Sequence, residues 1–579
     1  MAGTFHVERN VRVPMRDGVE LAADIWLPDD APRAPALITR TPYGRVLSST
    51  AGPPDLLAAA GFAVIFQDCR GRFDSDGEWS YVHADVDDGY DTVEWAAAQP
   101  WCNGRVGMFG SSYMGYTQWL AAVTRPPHLE VFLPECCAAD YWCASFDSDG
   151  GFRISTRVSW TANVVAAMAE AWGIHDPILK RIRDANLAMR DGVVARDPKA
   201  THAARLQAKD VLDVVYRTRP IKDNPLFYGR ATWLNEIFEH EARSDANWRR
   251  LNPSSHYNVL DLPAIHIGGW YDIHLQGVLE NYVGMRRQAP TARAREGQRL
   301  IVGPWSHWTP QSGVVGEVDF GAHATIDSMR IRLDWFRHHL QGGPAPELPP
   351  VRLFVMGENV WRDEQEWPLA RTAYTPWHLR AEGGLSPAAP GDGEAPDRFD
   401  YDPRDPCPSR GGRVIGAGEV AGPFDHRDIG GRADVLVYTS EPLAEPMEIT
   451  GPVKVELWAA TDAPDTDFTA VLLDVHPDGR ARNICEGLAR ARHIGLPTPL
   501  TPGAAYCFRI DLVATSLLVA AGHRLRLHIS SSGFPEWEPN PNTGAPIGTD
   551  RDGDLRVARQ TVFHDARHPS RIILPVIPR

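Results

Sequence analysis

The sequence predicts an α/β chain built on a parallel sheet, with an all-helical insertion and a C-terminal antiparallel β-sandwich of jelly-roll type. Three observations carry that prediction. Short apolar runs alternate with helical patterns in the first third, strand-like runs vanish between about 140 and 250, and alternating strands fill the last third. Ala36-Leu37-Ile38 is the first candidate strand and leads into Thr39-Arg40-Thr41-Pro42-Tyr43. Phe62 to Phe66 is the second and ends at Gln67-Asp68-Cys69-Arg70-Gly71. Asp87 to Gln99 reads as a helix, with acids early and Pro100 as its stop. Arg105 to Phe109 and Val131 to Leu133 are further strands. Strands spaced by helices imply a parallel sheet covered on both faces.

Ser159 to Trp172, Pro177 to Leu187 and Ala231 to Glu241 read as helices of the insertion, which in an α/β protein caps a site. Pro263 to Ile267 and Arg299 to Val302 return to strands, and a helix from about Ile326 to Leu340 ends at Gly342-Gly343. Pro344-Ala345-Pro346 and Pro349-Pro350 read as a linker, and 377 to 435 is rich in Gly, Pro and Asp. Val453 to Trp458, Thr469 to Val475 and Arg524 to Ile529 then alternate as strands, with Pro477-Asp478-Gly479 as a turn.

Composition excludes several classes. Of 579 residues, 43% are hydrophobic and 23% charged, which excludes a largely disordered chain. The net charge of −15 argues against nucleic-acid binding and against docking on anionic lipid. No apolar run reaches the length of a membrane span, and the segment from Met1 to Trp26 does not read as a secretory leader. Eight cysteines without a CxxC pair read as reduced, mostly buried thiols of a cytoplasmic protein. HExxH, EF-hand and Walker strings are absent, so neither a metal nor an organic cofactor is expected.

The strongest local pattern is Gly107-Met108-Phe109-Gly110-Ser111-Ser112-Tyr113-Met114-Gly115. An apolar strand ends in small residues, then a serine, then a helix-like run to Ala121. A nucleophile elbow needs this order, because the serine sits on a strained strand-to-helix turn. The helix start also offers N–H groups to a developing oxyanion. The glycine falls three residues after Ser112 instead of two, so the string also fits a strand-to-helix turn without chemistry. Ser111 is the rival nucleophile.

A serine needs a base, and the base an orienting carboxylate. Asp272 stands just past the apolar run Pro263 to Ile267 and a Gly-Gly pair, and His307 just past Leu300-Ile301-Val302. Both fall at the carboxyl ends of predicted strands, where open α/β sheets bind ligands. His266 reads as a core histidine within its strand. His338 and His339 fall in the last turn of a helix, and Asp74 and Asp76 in a turn.

These motifs together resemble the cocaine esterase group of α/β-hydrolases, within the X-Pro dipeptidyl-peptidase (S15) superfamily. The matching stretches include Val13 to Gly18, Gln67 to Gly71, Gly110 to Gly115, Gly269 to Asp272 and Gly303 to His307. In the C-terminal part they are Val351 to Gly357, Thr466 to Thr469 and Asn542 to Gly544, so the resemblance spans essentially the whole chain. It implies an α/β-hydrolase domain (1–139 and 251–347), a helical cap (140–250) and a C-terminal jelly roll (348–579). It implies Ser112 as nucleophile, His307 as base and Asp272 as orienter. The oxyanion hole it implies pairs the Tyr113 N–H with the Tyr43 hydroxyl.

The family cleaves small-molecule esters and amides, with no cofactor. Its pocket positions correspond to Phe146, Trp160, His274 and Ile415-Gly416. An aromatic hydrocarbon is often found where His274 stands, and Gly416 removes bulk, so cocaine itself is not the expected substrate. Relatives suggest a homodimer. Two other activities stay open within the superfamily. One is α-amino-acid ester hydrolysis or β-lactam acylation, for which Asp147 and Asp149 would bind an ammonium, although both read better as solvated or capping residues. The other is dipeptidyl-peptidase activity, whose relatives carry extra elements. A ligand-binding protein with a vestigial site is the non-enzyme alternative, and Trp458 and Trp537 are too few for a carbohydrate platform.

Overall fold

Residues 5–28 form an antiparallel pair ahead of the first strand read from the sequence. β1 (Phe5–Pro14) and β2 (Glu20–Pro28) turn at Gly18, whose φ of +86° suits glycine. The computed structural model describes residues 3–46, 52–147, 149–194, 198–224, 226, 230–307, 313–416 and 420–578. β3 (Ala34–Thr41), α1 (Pro54–Ala58), β4 (Ala63–Asp68), α2 (His83–Ala98), β5 (Cys102–Ser111), α3 (Tyr113–Val123) and β6 (Leu129–Glu135) follow. A helical segment then runs through α4 (Ile154–Met168), α5 (Pro177–Val194), α6 (Pro198–Arg217) and α7 (Thr232–Glu239). The chain returns to the sheet with β7 (Ala264–Tyr271), α8 (Leu275–Gln288), α9 (Ala292–Glu296), β8 (Gln298–Ser306), α10 (Ser328–Gln341), β9 (Val351–Val355) and β10 (Val360–Glu364).

Among the described residues these strands make one ten-stranded sheet, ordered β1-β2-β4-β3-β5-β6-β7-β8-β9-β10. β3 to β9 run parallel, and β1, β2 and β10 are antiparallel to their neighbours. β3, β4 and β7 are buried along their whole length, as a sheet covered on both faces requires. The order reverses at β3, between β4 and β5, so the carboxyl ends there open onto a crevice.

The prolines at 344–350 lie at the expected domain boundary near residue 348. They carry the crossover from α10 into β9, which pairs in parallel with β8, and Val351 and Leu353 are fully buried in that sheet. The all-β unit starts near Ala373. It contains β11 (Met447–Thr461), β12 (Asp467–Val475), β13 (Ala481–Arg490), β14 (Tyr506–Val519) and β15 (Arg524–Ser530). β11 pairs with β14, and β12 lies between β13 and β15. Leu457, Phe468, Leu472, Phe508 and Leu527 are wholly buried at its centre.

The all-β unit also holds the helical segment by main-chain bonds. Asp149 and Gly150 bridge to Ala489, the Ser155 N–H donates to the Pro535 carbonyl (2.9 Å), and the Lys222 N–H to that of Gly548 (3.0 Å). All eight cysteines are free thiols, seven of them buried. No helix among the described residues is long and apolar enough to cross a membrane.

Candidate active site

Ser112 occupies the single residue between β5 and α3, with φ +61° and ψ −123°. That backbone costs a non-glycine residue free energy and is held by its surroundings. Its N–H donates to the Glu135 carbonyl on β6 (2.9 Å), and its carbonyl accepts from the Tyr116 N–H (2.9 Å). The flanking glycines are steric requirements. A Cβ on Gly110 would lie 2.6 Å from that of Met114, and one on Gly115 2.8 Å from the Glu135 oxygen. The shifted second glycine therefore marks where α3 passes over the end of β6.

Asp272 and His307 reach Ser112 because β7 and β8 end close together. A Cβ on Gly269 would fall 2.1 Å from the Trp305 carbonyl oxygen, and one on Gly303 would enter the Trp305 ring. His307 Nε2 lies 2.9 Å from Ser112 Oγ, and its Nδ1 lies 3.1 Å from Asp272 Oδ1. Asp272 is fully buried, and burial alone would raise its pKa. The attraction and hydrogen bond of His307 outweigh that, helped by His274 and the Cys136 thiol, and bring it to about 2. An ionised carboxylate only accepts, so Nδ1 carries the imidazole proton and Nε2 accepts from the serine hydroxyl.

The two donors expected for an oxyanion are the Tyr113 N–H, next in chain to Ser112, and the Tyr43 hydroxyl. Tyr113 opens α3, so its N–H belongs to the first turn, which has no intrahelical acceptors. Its phenol is anchored elsewhere, donating to Asp85 Oδ2 (2.6 Å). The Tyr43 ring meets the Tyr113 ring edge-on at 6.3 Å. Its hydroxyl accepts from Trp160 Nε1 at 3.0 Å. Indole can only donate, so the Tyr43 O–H remains able to donate. Burial pushes the Tyr43 pKa up to about 12, which keeps that proton on at neutral pH.

Trp160, on α4, stacks parallel to Tyr113 at 6.2 Å. Thr156, one turn earlier on the same face, donates to the Ile415 carbonyl (3.2 Å), which brings the half-buried Ile415 over that face. His274 caps α8; its N–H donates to Asp272 Oδ1 (2.7 Å) and its ring meets that of His307 at 5.3 Å. Burial, reinforced by His307, lowers the His274 pKa to about 3 and leaves it neutral. Phe146 is buried and stacked on Trp142 (5.0 Å), with Phe152 and His493 beside it, in the same apolar cluster as Tyr113.

Asp147 and Asp149 are not solvated. Asp147 is 1% exposed and pairs with Arg153 (3.0 Å), while Asp149 Oδ2 accepts from the Asp511 N–H (2.7 Å). The turn at Gly150 and Gly151 folds both acids back against β13 and β14, which local sequence does not reveal. His266 is a core residue, bonded to Gln298 (2.8 Å) and stacked on Trp119. His339 packs on Trp335 at 4.2 Å, and burial lowers its pKa to about 3, so it sits neutral at the end of α10 and adds no charge to the helix dipole.

Sequence reasoning missed Cys136 beneath Asp272, Asp85 beneath Tyr113, and Arg157, which donates to Tyr81 (2.8 Å) in the aromatic cluster around Trp160. No spacing rule links these residues. Among the described residues, two groups have metal-ligand spacing, Asp140–Cys143–Glu280 and Asp474–His476–His523. Neither includes Ser112, Asp272 or His307. The first already holds Arg243, paired to Asp140 (2.6 Å) and Glu280 (3.0 Å).

Comparison with known proteins divides the chain near residue 345. The pattern of the X-Pro dipeptidyl-peptidase (S15 family) matches residues 17–309, and that of the X-Pro dipeptidyl-peptidase C-terminal non-catalytic domain matches residues 345–573. The chain is 35% identical to the cocaine esterase of Rhodococcus sp. (strain MB1 Bresler) over 601 residues, covering 100% of both. A solved α-amino acid ester hydrolase is 26% identical with a TM-score of 0.78, covering 99% of this chain and 97% of that one. An aminopeptidase from a marine sediment archaeon, Thaumarchaeota archaeon, shares the fold at 24% identity and a TM-score of 0.80, covering 100% and 97%.

Proposed function

The chain belongs to the X-Pro dipeptidyl-peptidase (S15) family, and from that premise we propose that it is a serine esterase that cleaves carboxylic esters of small acyl groups through an acyl-enzyme on Ser112. The observation that carries the reading is the continuous hydrogen-bond chain from Ser112 Oγ through His307 to the buried Asp272. Ser112 Oγ attacks the ester carbonyl as His307 Nε2 takes its proton. Asp272 holds the imidazolium that forms. The carbonyl oxygen becomes an oxyanion and accepts from the Tyr113 N–H and the Tyr43 hydroxyl. Collapse breaks the bond to the leaving alcohol, which takes its proton from His307. Water then loses a proton to His307 and attacks the acyl carbon, and the Ser112 oxygen leaves with that proton. An amide follows the same route with an amine as leaving group.

Trp160, His274, Ile415 and Phe146 are the proposed substrate contacts. Trp160 and Ile415 share one face of α4, and His274 offers a neutral polar wall beside His307. Asp147 is paired with Arg153 and Asp149 Oδ2 accepts one main-chain N–H, while α-amino ester hydrolysis and dipeptidyl-peptidase activity stay compatible with the family. Eight unpaired thiols suit a reducing compartment, and the cytoplasm is the proposed setting.

The test compares wild type with Ser112→Ala on p-nitrophenyl acetate, butyrate, benzoate and phenylglycine esters and a matched p-nitroanilide. We expect wild type to turn over esters and the variant to lose about a thousandfold or more. A fluorophosphonate probe should label wild type alone. Equal turnover in both proteins would overturn the reading.

A further inference from the structure

The all-β unit carries a second cluster of chemically capable side chains, far in sequence from the triad. Asp474 and His476 are two residues apart at the end of β12, so they project to one face. The β12–β15 register pairs Asp474 with Leu525 and Val475 with Arg524, and His476 and His523 each follow one residue beyond that last pair. Cross-strand pairs have Cβ atoms about 4.5–5.5 Å apart. The two imidazole rings lie 4.4 Å apart. Asp474 reaches both, with Oδ1 2.8 Å from His523 Nδ1 and Oδ2 3.6 Å from His476 Nε2. One ligand atom from each of the three lies within 4.8 Å of the others. The histidine side chains are 20% and 16% exposed, so an ion can enter from solvent.

We propose that Asp474, His476 and His523 form a binding site for a zinc-type divalent transition metal. Two imidazoles and one carboxylate supply three protein ligands, and water completes a tetrahedron. The donor set selects the metal class. Imidazole nitrogen suits zinc, cobalt, nickel and copper, whereas magnesium and calcium want oxygen. Arg482 stands opposite Asp474 on β13, so charge attraction alone would not hold a hard cation there. A bound ion would fasten the 476–480 turn to the start of β15 at a place where only side chains now connect them.

The test strips the full-length protein with a chelator and titrates it with zinc by calorimetry, with thermal unfolding in parallel. Wild type should bind one zinc that His476→Gln/His523→Gln does not bind, and only wild type should gain Tm. Asp474→Asn, a near-isosteric change that keeps the fold, should weaken zinc at least about tenfold. Cysteine 143 provides the control, since Cys143→Ser should bind as wild type does. Cobalt should give the intense visible bands of a tetrahedral site in wild type alone, and magnesium should not bind. Zinc binding that is absent from wild type, or equal in the double variant and in Asp474→Asn, would overturn the proposal.

Discussion

Two regions of the molecule bury charge, and they use it differently. At the carboxyl ends of β5, β7 and β8, Asp272 is engaged by His307, and Ser112 sits on a strained turn facing the crevice. In the all-β unit, Arg490 is equally buried, but Asp467 grips it through two bonds of 2.9 Å and Glu538 through a third of 3.2 Å. Asn540 joins Asp465 and Asp467, and Arg492 closes on Asp465. The first group ends in a hydroxyl with a proton to give, whereas in the second each charge answers another. Buried charge therefore does not by itself mark a reactive site; a hydroxyl oxygen at the end of a polarised chain does. The Thr466-Asp467 and Asn542 stretches that resemble the family lie in the second group, where Thr466 bonds Asn542 (3.0 Å) and secures the fold.

The contrast is open to experiment. Ser112→Ala should lower kcat by about 10³-fold or more in an ester assay while leaving Tm unchanged. Asp272→Asn should cost about 10⁴-fold, because an amide there favours the wrong imidazole tautomer. Arg490→Met should do the opposite, losing about 3–5 kcal/mol in urea unfolding while activity per folded molecule is retained. A large loss of kcat in folded Arg490→Met would erase the distinction. Tyr43→Phe sharpens the reactive side, with an expected loss of about 10²–10³-fold in kcat and little change in stability.

The smallest effect is on pH. Burial lowers the pKa of His266 to about 4 and of His493 and His528 to about 3, below the ordinary value of 6.5. The unfolded chain protonates these rings first as pH falls. Their contribution is whole above pH 6.5 and shrinks between 6.5 and 3, so these rings lower the urea midpoint from pH 7 to pH 5, against Asp149 and Asp511, whose pKa values burial raises to about 7 and about 6. His528→Asn should reduce that slope.

The hydrogen-bond chain of Ser112, His307 and Asp272 was legible because each member closes an apolar run in a few small or glycine residues, a pattern written within ten positions. The core strands from β3 to β8 were legible for the same reason. β1 was not, since its half-exposed residues lack a clean alternation, and the pairing of β9 with β8 was not, because β8 lies some fifty residues earlier in the chain. α6 was missed because its exposed face is polar and apolar residues mark it only in its second half. The Trp160 bond to Tyr43 spans 117 residues and the Asp149 bond to Asp511 spans 362, beyond any local pattern.

The helical segment leans on residues made much later, and that has a meaning in time. Ile154 opens α4, yet the carbonyls that receive its neighbour Ser155 and the distal Lys222 belong to Pro535 and Gly548. At a ribosome rate of about 5–20 residues per second, the roughly 400 residues between them take about 20–80 seconds to emerge. For that interval the aromatic face around Phe152 and Phe238 waits for its cover on the nascent chain. A chaperone-poor translation system should then give more aggregate from this protein than from the same chain refolded whole.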